Sequence, residues 1–144
     1  MKKLGFIFAL LVAAALSTGC AVNRATAKVD PSANLAALKT MHVVKLPEED
    51  AGIDTLIAED LRRRGYLVTT GTERPAKVDA VVTYVDRWMW DITMYLLELT
   101  VMIREPETEF PMATGNSFHS SLTRKSPPAM VEEVMTNIFK EQKQ

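Results

Sequence analysis

Ala80-Val81-Val82-Thr83-Tyr84-Val85-Asp86-Arg87-Trp88-Met89-Trp90, then Asp91-Ile92-Thr93, then Met94-Tyr95-Leu96-Leu97-Glu98-Leu99-Thr100-Val101-Met102-Ile103-Arg104 is the stretch that decides the fold. Both outer runs are rich in Val, Tyr, Trp, Leu and Ile, the side chains that suit a pleated, half-buried surface. Only three residues separate them, so a β-hairpin is the economical reading. Tyr95, Leu97, Leu99, Val101 and Ile103 fall on one face of the second run. Met94, Leu96, Glu98, Thr100 and Met102 fall on the other, which is more apolar than a water-facing strand normally is.

Working outward, Met41 to Leu46 reads as a short strand ended by Pro47. The strongest helix signal follows it. Glu48, Glu49, Asp50 and Asp54 gather at its start, and Arg62-Arg63-Arg64 close it before Gly65, an order that complements the helix dipole. Ile53, Leu56, Ile57 and Leu61 share one face, Glu59–Arg63 and Asp60–Arg64 are favourable i,i+4 pairs, and Gly65 suits a left-handed residue past the helix end. Tyr66 to Thr69 is a second strand, and Gly71 to Lys77 a turn. After the hairpin, Glu105 to Gly115 reads as a loop and Ser117 to Thr123 as a strand. Ser126 then caps a helix with Pro127 in its first turn and Val131, Val134, Met135 and Ile138 as its buried stripe. The expected fold is α+β: a mixed, mostly antiparallel sheet of four to five strands with two helices packed on one face. The strand–helix–strand start allows a parallel first pair, and the later strands are expected as an antiparallel meander.

Composition bounds the function. The chain has 144 residues, 47% hydrophobic and 24% charged, enough for one domain with a sizeable core. Its 17 basic and 18 acidic residues give a formal charge of −1, which argues against general nucleic-acid binding. A single Cys excludes an internal disulfide framework and any Cys-rich metal centre.

That Cys stands in an informative place. Met1-Lys2-Lys3 is basic, Leu4 to Leu16 is apolar apart from Gly5, and Ser17-Thr18-Gly19 are small residues leading into Cys20. Thirteen helical residues span about 20 Å, short of the roughly 30 Å bilayer core, so the pattern is a secretory signal rather than a membrane span. The stretch resembles the bacterial lipoprotein signal, in which the Cys behind a small-residue box is lipidated and becomes the mature N-terminus. The usual Leu three residues before the Cys is replaced here by Ser17, with Leu16 one step further out. The resemblance implies a diacylglyceryl thioether and an amide-linked acyl chain, such as palmitate, on Cys20. Ala21 in place of a retention Asp implies the periplasmic face of the outer membrane. Loss of Lys2 and Lys3 takes 17 basic residues to 15 against 18 acidic, so the mature charge of −3 does not hold the protein to an anionic membrane. The expected organisation is a signal peptide over 1–19, a lipidated tether over 20–37 and a single periplasmic α+β domain over 38–144.

Few residues suggest chemistry. His42 and His119, the two histidines, lack partners at metal-ligand spacing, so neither a metal nor a cofactor is expected. Ser117, Ser120 and Ser121 lie near His119, but no nucleophile elbow presents them. Gly71-Thr72-Glu73-Arg74 lacks the features of a P-loop. Asp86 and Asp91 flank Trp88 and Trp90 without another recognisable catalytic group. The triple Arg reads as a dipole-matched, solvated helix end.

The tryptophans suggest a contact surface instead. If Asp91 to Thr93 is a three-residue turn, Trp90 faces Met94 and Trp88 faces Leu96, on the side opposite the Leu97/Leu99 core. Trp88, Trp90, Leu96 and Met102 then form a partner-binding patch. The same register sets Asp86 opposite Glu98, a like-charge pair, and a turn of two or four residues would swing both tryptophans into the core. In element order the chain is broadly similar to auxiliary lipoproteins of envelope transport and to the lipopolysaccharide-assembly lipoprotein, which bind partners. The expected function is therefore non-catalytic: a lipid-anchored accessory module that binds another envelope protein, with neither nucleic acid nor metal. A carrier holding a lipid or apolar ligand between sheet and helices is the alternative. An envelope hydrolase built on His119 is the third.

Overall fold

The structure is a computed structural model that describes residues 22–48 and 50–143. The expected signal peptide and lipidation site, residues 1–19 and Cys20, lie outside the described residues. Six strands, β1 (Asn23–Val29), β2 (Thr40–Val44), β3 (Leu67–Gly71), β4 (Ala80–Asp91), β5 (Thr93–Arg104) and β6 (Pro111–His119), form one sheet in the order β1-β6-β5-β4-β2-β3. Helices α1 (Ile53–Arg63) and α2 (Pro127–Glu141) pack on one face of it and on each other, α1 over β2 and β3, α2 over β1, β6 and β5. The α+β class and the two-helix layer are thus present. β2 pairs in parallel with β3 and β4, and every other pairing is antiparallel.

The sheet has six strands rather than four to five, and the additional one lies within the expected tether. β1 pairs with β6 along its whole length, from Asn23 opposite His119 to Val29 opposite Ala113. Leu35, a few residues on, has no exposed surface. Residues 23–37 therefore belong to the fold. β1 leaves little hydrophobic pattern because it is an edge strand that offers the core only Ala27 and Val29, with Arg24, Thr26 and Lys28 alternating outward. A second difference concerns β6. It starts at Pro111, where a missing N–H is tolerated at the first position of a strand, and it ends at His119; residues 121–123 are a 3-10 turn.

The core lies between sheet and helices. Met41, Val43, Val82, Leu99, Val101 and Ile103 from the strands meet Ile53, Ile57, Leu61, Val134, Met135 and Ile138 from the helices, all at 1% exposure or less. Gly115 lets the layers approach: a Cβ there would stand 2.8 Å from Val134 and 2.9 Å from Ile138. Local chemistry ends α1 as its sequence suggests. Gly65 adopts φ +99°, Tyr66 N–H donates to Leu61 O at 3.2 Å, and Gly65 N–H donates to Arg62 O at 2.9 Å, which satisfies carbonyls the helix leaves open. The triple Arg is used locally. Arg63 and Arg64 both hold the buried Asp60 carboxylate, at 2.9 and 2.6 Å, and Arg62 donates to Val68 O at 2.7 Å. Asp60 thus takes the pairing expected of Glu59.

Candidate functional site

Two places in the fold answer to the expectations: the polar cluster around His119, and the far end of the β4–β5 hairpin.

β6 directs Ser117 and His119 to the helix side, where both are buried against Glu133 of α2. The Ser117 hydroxyl donates to Glu133 Oε2 at 2.6 Å, His119 Nε2 lies 2.8 Å from the same oxygen, and Lys125 Nζ lies 2.6 Å from Oε1. A carboxylate only accepts, so His119 Nε2 carries a proton, and the buried Nδ1 has no hydrogen-bond partner among the described residues. A serine nucleophile needs its proton taken by the imidazole, whereas the Ser117 proton points to Glu133. Ser121 donates to Asp91, on a different strand. Ser117 and His119 thus meet on Glu133 rather than on each other, and Ser121 bonds elsewhere. Burial would push the Glu133 carboxyl up, but hydrogen bonds from Lys125, Ser117 and His119 outweigh it and hold the pKa down at about 2. This cluster ties α2 to the sheet. His42 is likewise structural: its Nε2 donates to Gly71 O at 3.2 Å and its Nδ1 lies 2.8 Å from the Thr69 hydroxyl. Among the described residues, no three His, Cys, Asp or Glu side chains are grouped to hold a metal ion.

The hairpin has the expected pairing at its tip and a different one below it. Asp91 pairs with Thr93, Trp90 with Met94 and Trp88 with Leu96. Between Arg87↔Glu98 and Trp88↔Leu96 the register shifts, so Leu97 is an extra residue on β5. The bulge changes the faces. Asp86 stands opposite Leu99 rather than Glu98, and Arg87 meets Glu98 in a 2.8 Å ion pair. Leu96 turns into the same core as Leu99 and has no exposed surface. Trp88 is half-buried against that core, its indole N–H donating to Asp86 at 2.6 Å. Met102, between the core residues Val101 and Ile103, points to the helix-free face, where its sulfur accepts from Arg104. The four proposed contact residues therefore do not share one surface: Leu96 is core, Met102 lies on the other face, and only Trp90 is well exposed.

Trp90 shares this end with other exposed apolar residues. Trp90 is 68% exposed, Met94 59% and Ile92 87%, with Met89 also open. Leu122, in the turn after β6, is 79% exposed. Below the tip, an open cleft of about 530 Å³ lies between Trp88 and the loop before α1, with Leu46, Pro47 and Ala51 on its apolar wall and Glu48, Asp50 and Asp86 around it. The 120–124 segment braces the hairpin. Ser121 bonds Asp91, Arg124 donates to Thr93 at 2.9 Å, and the Arg124 guanidinium lies 4.7 Å over the Tyr95 ring. Sequence reasoning missed this brace because Arg124 is 31 residues from Thr93 and no local pattern joins them.

No protein family and no curated protein matches the chain. Solved structures do resemble it. The PelC dodecamer from Paraburkholderia phytofirmans, in two crystal forms, superposes with a TM-score of 0.58 at 11% identity, over 81% of this chain and 98% of that one. A PDZ domain protein from Parabacteroides distasonis superposes with a TM-score of 0.51 at 11% identity, over 90% of this chain and 38% of that one. At this identity the likeness is one of fold alone.

Proposed function

We propose that the chain is a lipid-anchored protein of a bacterial cell envelope, held by Cys20 at the periplasmic face of the outer membrane. It works there without catalysis, as an accessory module that binds another envelope component. The observation that carries this reading is the hairpin end of the sheet, where Trp90, Ile92 and Met94 stand in solvent beside the Trp88 cleft. A contiguous apolar patch on a monomer marks an interaction site. The locked Ser117–Glu133–His119 cluster supports the non-catalytic side of the reading, since its most reactive groups are spent on one another. PelC chains assemble as a dodecamer, so a fold of this kind does serve contact between proteins. A carrier function is the weaker reading, because fully buried side chains occupy the space between sheet and helices.

Mass spectrometry of the native N-terminus tests the anchor: the mature chain should begin at an acylated Cys20, and Cys20→Ala should release it from the membrane. An unmodified start downstream of Cys20 contradicts the assignment. Crosslinking in intact envelopes, followed by pull-down, should capture a discrete component; turnover of an ester, phosphate or peptide substrate that is abolished by His119→Ala would replace the binding reading with an enzymatic one.

A further inference from the structure

We propose that the hairpin end of the sheet rests on the lipid bilayer itself, with Trp90, Ile92 and Met94 seated among the phospholipid headgroups. The inference rests on reading Cys20 as the lipid anchor and names what that surface touches. The strand register supplies the geometry. Asn23, the first residue of β1, faces His119, whose neighbour Phe118 faces Glu98. From that level the hairpin continues from Trp88 to Asp91, about 10 Å at strand rise. Cys20 precedes Asn23 by three residues, a reach of at most about 10 Å. The chain that leads back to Cys20 and the hairpin tip therefore leave the same end of the sheet, and the greatest reach from Asn23 to Cys20 is about that of the hairpin overhang.

Hydrogen bonds join these features sideways. Ser120 N–H and the Thr123 hydroxyl both donate to Val22 O, at 3.1 and 3.2 Å, while Ser121 and Arg124 of the same turn hold Asp91 and Thr93. Val22, Leu122 and the hairpin tip thus share one end, and all are open to solvent. The tip also carries a conformational cost. Ile92 adopts φ +61°, where a β-branched residue is strained and Gly or Asn would be relaxed. An isoleucine both strained and 87% exposed is poorly placed for water and well placed for an apolar environment. A link this short holds that end against the bilayer, leaving little room for a protein to enter between, and Trp is favoured at headgroup depth.

The test uses the full native lipidated protein in vesicles of phosphatidylethanolamine and phosphatidylglycerol, with Cys20 acylation verified by mass. Trp88→Phe and Trp90→Phe each leave one tryptophan. Brominated acyl chains should cut Trp90 emission about twofold or more while leaving Trp88 nearly unchanged, and Ile92→Asp in the otherwise native protein should relieve most of the quenching. Unquenched Trp90 emission from acylated protein overturns the inference and leaves the anchor standing. Quenching that Ile92→Asp does not alter overturns it too. An unacylated N-terminus is the separate failure of the anchor. Crosslinking from position 90 to a discrete protein, with no lipid quenching, would reassign the surface to a protein partner.

Discussion

The two halves of the β4–β5 ladder are made from similar residues and do opposite things. Below the bulge, Val82, Tyr84, Leu99, Val101 and Ile103 are buried under the helices. Above it, Trp90, Ile92 and Met94 are no less apolar yet stand in solvent. Hydrophobicity alone does not separate them; the extra residue Leu97 and the reach of the neighbouring strands β6 and β2 do. β6, beside β5, ends at His119, and β2, beside β4, pairs with it only at Ala80–Val82, so the ladder outruns its support. The base is buried core and the tip is the proposed contact surface, and substitutions should separate the two by where their effects appear.

The largest contrast is in unfolding free energy. Leu99→Ala should cost about 2–5 kcal/mol by urea titration, the ordinary range for a buried leucine, whereas Met94→Ala should change it by less than about 0.5 kcal/mol. Equal losses would make the tip part of the core. Gly115→Ala comes next, at about 1–3 kcal/mol, because the new methyl must displace Val134 and Ile138 from 2.8–2.9 Å contacts; an unchanged midpoint would show that the layers can separate freely.

The Glu133 cluster sharpens the same contrast through pH. Its pKa of about 2 in the fold lies below the usual 4.5, so its contribution is complete above about pH 4.5 and is lost as pH falls through about 2. Allowing for solvent screening of its exposed part, roughly 1–2 kcal/mol should disappear across that window, and Glu133→Gln should flatten this part of the profile. A profile with the same slope in both proteins contradicts the assignment. The smallest effect has the opposite sign. Ile92→Asn should stabilise the fold by about 1 kcal/mol by relieving the left-handed strain, while reducing the bromolipid quenching of Trp90. A loss of stability would show that Ile92 has a packing role.

Much of the layered arrangement was legible. The helix over Ile53–Arg63 announced itself through charge order and Gly65, and the 80–104 hairpin through composition and a three-residue spacer. β1 was not, because an edge strand with two small core-facing residues has almost no periodic signal. The bulge was half legible: the like-charge pairing of Asp86 with Glu98 counts against an uninterrupted three-residue-turn register, though the expected contact patch rests on that register. The relief came from an extra residue inside β5 rather than from a different turn length, and that choice depends on how Leu96 and Leu97 pack. The brace from Arg124 to Thr93 and the meeting of Ser117, His119 and Glu133 are products of topology, and no spacing rule encodes them.

The most direct measurement places a benzophenone side chain at Trp90 in the full protein, with acylation of Cys20 verified by mass, and irradiates intact envelopes. If the hairpin end faces the membrane, the main product is the protein carrying phospholipid, with a mass increase of one lipid; the same probe at Thr69, on the far edge strand, should give none. A single protein adduct from position 90 and no lipid product would contradict the account and make this surface a protein interface.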